Sequence, residues 1–122
     1  MMRRDKRKRI KFTNAWLRKQ FEHLNYRFFG NRIPQTVKVE FANLTKERAN
    51  GTWSLLEGMI RIDGPMKKVG ELMILLILLH EMIHADLEYQ GYKGYPCDAG
   101  HGMRFQGELV RLWNAGAYDG NL

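Results

Sequence analysis

The stretch "LLHEMIHADLEY", Leu78 to Tyr89, places two histidines four residues apart with a glutamate directly after the first. On an α-helix this spacing sets His80 and His84 one turn apart along the axis and only about 40° apart around it, so both rings can aim at one ion. Glu81 then falls on the flank of the pair. From there it does not complete a ligand set, but it can hydrogen-bond a water beside the ion and take its proton, as the general base of HExxH hydrolases does. The competing interpretation is a buried helix whose histidines are satisfied by backbone carbonyls. Placement favours the metal, because the run "LMILLILL", Leu72 to Leu79, is wholly apolar and the histidines stand where it first turns polar.

Two histidines leave a catalytic zinc site short of a ligand, since an open tetrahedral site takes three protein groups and keeps one position free. His101 is the best candidate: Gly100 and Gly102 flank it and would let its backbone approach the helix closely. His23, the remaining histidine, sits beside Glu22 on a polar face and reads as a surface residue. Glu88, Asp98 and Glu108 are acidic alternatives, with Glu88 a further turn along the same helix and too far to share the ion with His80. Cys97, four before His101, has ligand-compatible spacing, but a fourth protein ligand would close the site, so it reads as a loop residue. A metzincin would carry its third histidine six residues after the second; Gln90 stands there and excludes that class.

Outward from this helix the pattern predicts an α+β domain. Thr13 or Asn14 can cap a helix with Leu17, Phe21, Leu24 and Phe28 at helical spacing, ended by Gly30 and Asn31. "TVKVEF" alternates, with Val37, Val39 and Phe41 on one face, as a half-buried strand does. "GTWSLLEGMIRID" reads as a hairpin over Gly51 to Asp63 turning at Glu57 and Gly58. Pro65 opens a helical region that runs through the histidines and stops by Gly91; it is apolar nearly all round in its first half and should be the most buried helix. A glycine-rich loop over Gly91 to Gly102 leads to a last helix with Phe105, Leu109 and Leu112 on one face.

The chain has 122 residues, enough for one core and too few for two. With 44% hydrophobic and 27% charged residues the composition is ordinary for a globular protein. The charge is not evenly spread. Arg3 to Lys11 carries seven basic residues and one acid, so +6 of the total +7 resides there and the rest of the chain is nearly neutral. Residues 1–11 therefore read as a basic disordered tail and 12–122 as the domain. Such a tail can follow a phosphate backbone through counterion release, or simply keep the protein soluble. No apolar segment of signal-peptide length follows it, no run is long enough to span a bilayer, and the single cysteine precludes an intramolecular disulfide, which together point to an intracellular setting; a monomer is the working expectation, although the sequence does not give the oligomeric state.

The two motifs "LLHEMIHA" and "GHGMRF", in that order, resemble the SprT-like zinc metalloprotease family, of Spartan type. The likeness extends upstream through "LNYRFFGNRIPQTVKVEF", "ANGTW" and "MIRID", and covers nearly everything from Thr13 to Tyr118. The resemblance implies a compact zincin-like domain with an N-terminal helix, a small three-stranded sheet, a buried HExxH helix, a loop and a C-terminal helix. It implies one zinc ion on His80, His84 and His101, with Glu81 as catalytic base. It also implies a peptidase acting on proteins bound or crosslinked to DNA, a partner that the tail from Arg3 to Lys11 would suit. Many members carry a zinc ribbon or other DNA-binding elements beyond this domain; the sequence here ends at Leu122.

The alternative is a non-catalytic DNA-binding or regulatory module whose zinc only holds the helices together. Glu81 separates the two, because a structural site needs no general base beside an open position. A nuclease is the weaker third reading, since nothing resembles the acidic pair of a two-metal centre. Tyr89, Tyr92, Tyr95 and Arg104 lie near the motifs in sequence, but nothing in the pattern assigns any of them to oxyanion stabilisation.

Overall fold

In the computed structural model of the chain, residues 10–92 and 101–118 are described. Thr13 starts the first helix, α1 (Asn14–Phe29), as its side-chain oxygen accepts from the Trp16 backbone N–H at 3.0 Å. Leu17, Phe21, Leu24 and Phe28 all point inward, as their spacing requires. Gly30 (φ 58°) and Asn31 (φ 60°) then both turn left-handed, and Asn31 N–H donates to Asn25 O at 2.9 Å, closing the helix end.

Three strands follow: β1 (Lys38–Ala42), β2 (Gly51–Ser54) and β3 (Met59–Asp63). The hairpin expected over Gly51 to Asp63 is present, with β2 and β3 antiparallel and Trp53 opposite Ile60. The sheet order is β1-β3-β2, and β1 runs parallel to β3 with Val39 opposite Ile60. This leaves β2 as an edge strand. The C-terminal half is more broken than the sequence pattern implied. Pro65 starts only a single turn, α2 (Met66–Val69); Gly70, at φ 123°, separates it from α3 (Glu71–Tyr89). Few residues other than glycine tolerate that φ, so the chain changes direction there. The last helix is α4 (Met103–Asn114).

Helix α1 packs on β1, and α3 crosses β2 and β3 while also touching α1 and α4. Phe21, Phe29, Ile33, Ile60, Ile62, Ile74, Leu78, Leu79, Met82 and Ile83 are fully buried between them. Two polar anchors fix the frame. Asn25, buried in α1, donates to Ile33 O at 2.9 Å and accepts from Ile33 N at 3.2 Å. Arg18 donates to Val37 O and Gln35 O, tying α1 to the start of β1. Helix α3 is the central helix, but its first turn is not enclosed: Leu72 is 51% and Met73 38% exposed. The run "LMILLILL" thus presents an apolar face that its own domain does not cover with the described residues.

Candidate metal centre

Helix α3 brings His80 and His84 to one face, and the residue immediately before the N-cap of α4 brings His101 opposite them. His101 Nε2 lies 3.1 Å from His84 Nε2 and 3.1 Å from His80 Nε2. Ligand nitrogens held at about 2.0–2.1 Å in a tetrahedral arrangement are roughly 3.3 Å apart, so the three imidazoles fit a single small ion. Among the described residues they are the one cluster of three potential ligands. Nitrogen donors of this kind suit zinc and its neighbours in the first transition row rather than magnesium or calcium.

Burial sets the charge state of these groups. It pushes His84 down to about 4, helped by the neighbouring His80 and His101, and it also lowers His80, with His101 adding to the effect. Both rings are therefore neutral near pH 7, the form that binds a metal. Glu81 is only 7% exposed, and burial pushes its carboxyl up to about 7. A cation beside it would favour the ionised form again.

Two of the three acidic alternatives, Glu88 and Glu108, are engaged elsewhere. Glu88 accepts from Trp53 Nε1 at 2.5 Å, and Glu108 pairs with Arg111 at 2.9 Å. Asp98, Cys97, Tyr95 and Gly100 lie outside the described residues, as does the basic tail up to residue 9. Gly102 has φ −76°, an ordinary backbone angle. His23 is exposed on α1. Tyr89 packs on Trp53, with ring centroids 5.8 Å apart, and Arg104 lies over the Tyr92 ring at 3.8 Å.

Two residues of the site were not singled out by the sequence pattern. Phe105, buried in α4, has its ring centroid 4.9, 4.7 and 4.7 Å from those of His80, His84 and His101. It forms an apolar floor that limits how the three imidazoles can tilt. Its periodicity marked it as core, and a core phenylalanine and a site floor share one sequence signal. Gly51, first residue of β2, is the second. A Cβ there would stand 2.5 Å from Ile77 Cγ2 and 3.2 Å from Glu81 Oε2. A glycine opening a strand does signal close approach, so this position was open to detection. Beside it, Asn50, Gly51, Leu76, Ile77, His80 and Glu81 line a cavity of about 310 Å³.

The structure is thus a small α+β domain in which three histidines from two segments converge beside a buried glutamate, a candidate metal site. The SprT-like family model matches residues 17–117, nearly the whole described fold, and the chain belongs to the SprT-like family. No protein of curated function matches it.

Proposed function

We propose that the protein is a zinc-dependent endopeptidase in which His80, His84 and His101 hold the ion and Glu81 is the catalytic base. The observation that carries this is the convergence of three Nε2 atoms beside a buried carboxyl that faces a cavity. Zinc, when bound, supplies a Lewis acid that polarises a carbonyl and acidifies water. Glu81 supplies the proton acceptor: its carboxylate takes a proton from water in the cavity and returns it to the departing amine. Ile77 and Leu76 limit water access around that carboxylate, and Gly51 lets the peptide backbone of β2 come close to it.

The substrates in this reading are proteins bound or crosslinked to DNA. It is supported by membership of the SprT-like family and by the +6 segment from Arg3 to Lys11, which would lie along phosphates. Zinc content and cleavage of a DNA-binding protein, with and without single-stranded DNA, test it on wild type and Glu81→Gln. The variant should keep zinc and lose about 10²- to 10⁴-fold in rate; equal cleavage by both would exclude Glu81 as base. Deletion of residues 1–11 should reduce the slope of log affinity for DNA against log salt by several units, and an unchanged slope would make the tail a solubilising terminus.

A further inference from the structure

Leu72, Leu76 and His80 fall at four-residue steps on α3 and share one stripe of its surface. Leu109 and Trp113 form the facing stripe on α4, and the Tyr118 ring lies 6.1 Å from that of Trp113. These six residues line a cavity of about 380 Å³ that ends at the His80 ring. None of them is an acid, a lysine or an arginine. Leu72 is 51% and Trp113 70% exposed, so the groove offers apolar surface to something outside the described residues.

Its position says what that is. Leu76 and His80 also line the cavity holding Glu81, so the two spaces meet across these side chains. An extended peptide advances about 3.3 Å per residue and sends alternate side chains to opposite sides. With its scissile carbonyl beside the histidines, the residue flanking that bond reaches the groove. We propose that this groove is the specificity subsite of the enzyme, receiving a large apolar side chain, leucine, methionine or phenylalanine, next to the scissile bond. The proposal rests on the endopeptidase reading. A short side chain would leave the leucines and Trp113 wet, and a charged one would lie against apolar walls that carry no opposite charge.

Two exposed positions allow a test with little risk to folding: Trp113→Ser and Leu72→Gln. Cleavage sites in an unfolded protein, mapped by mass spectrometry, should show leucine, methionine or phenylalanine enriched at one fixed position beside the cut. Both variants should flatten that enrichment and lower kcat/KM for such sites about tenfold. Cleavage without enrichment, or enrichment unchanged in both variants, overturns the proposal. A binding measurement keeps the subsite separable from catalysis. Zinc-loaded Glu81→Gln protein should bind N-acetyl-leucyl hydroxamate at least about tenfold more tightly than the glycyl compound, and Trp113→Ser should erase the difference. If wild type cuts nothing yet this preference is seen, the endopeptidase reading fails and the apolar site stands; equal affinities overturn the groove whatever the cleavage result. A dimer in sedimentation that Trp113→Ser dissociates would assign the groove to a second copy and overturn it as well. A leucyl preference that emerges only after removal of residues 119–122 would assign it to the chain's own end.

Discussion

Glu81 combines two demands that conflict in the absence of an ion. Its carboxyl is pushed from its ordinary value of 4.5 up to about 7 by burial, so the folded protein prefers it protonated. The associated stability is fully present below pH 4.5 and is lost as pH rises through about 7. His84, pushed from 6.5 down to about 4, works in the opposite sense: its contribution is present above 6.5 and lost as pH falls through about 4. In metal-free protein, Glu81→Gln should therefore leave stability at pH 4.5 unchanged and raise it at pH 8 by on the order of 2 kcal/mol, measured by urea unfolding. No gain at pH 8 would show that the carboxyl is not desolvated. Gly51 sets the other limit on this side chain. Gly51→Ala would drive a methyl group into Ile77 and against Glu81, costing about 1–3 kcal/mol and displacing the carboxylate. Zinc binding should survive while proteolysis falls, and a fully active Gly51→Ala enzyme would remove Gly51 as a positioning residue.

Polar ties as well as apolar faces hold the elements together: an ion pair joins α3 to the turn after α1, and a hydrogen bond joins α4 to the end of α1. Asp86 on α3, 1% exposed, accepts from Arg32 Nε at 3.2 Å and Arg32 Nη2 at 2.7 Å. Arg111 on α4 pairs with Glu108 and donates to Phe28 O at the end of α1. Arg32→Ala leaves the buried Asp86 carboxyl without its ion-pair partner. The cost should be about 2 kcal/mol, below that of a fully buried pair because Arg32 is 44% exposed and screened by water. The double variant with Asp86→Ala should cost less than the two single changes together, and strict additivity in denaturant titrations would mean that the pair is not coupled. These long-range ties are what the sequence could not disclose. Periodicity located α1 through Leu17, Phe21, Leu24 and Phe28, and the hairpin through its turn residues, because those signals are local. The parallel pairing of β1 with β3, the Arg32–Asp86 contact 54 residues apart and the floor role of Phe105 depend on distant segments. The approach of His101 to within 3.1 Å of His80 and His84 was legible, because a metal site would need a third ligand, a chemical requirement that reaches across the chain.

For the molecule as a whole, an ion held by His80, His84 and His101, as proposed, would bind the folded state far better than the unfolded one and so stabilise the fold by mass action. Removing it with a chelator should lower the melting temperature of wild type by several degrees, with full recovery on adding zinc. His101→Ala should melt at the chelated value and no longer respond to either treatment; a response equal to wild type would exclude His101 as a ligand. Among the described residues no helix is long and apolar enough to cross a membrane. Phe105 bears on any attempt to rebuild the site in another protein. Its ring contacts imidazoles from two chain segments, so copying the HExxH turn alone would transfer two histidines and a glutamate onto a surface with nothing beneath them. The portable unit is the turn from His80 to His84 together with the five residues from His101 to Phe105, mounted on two helices at their native separation.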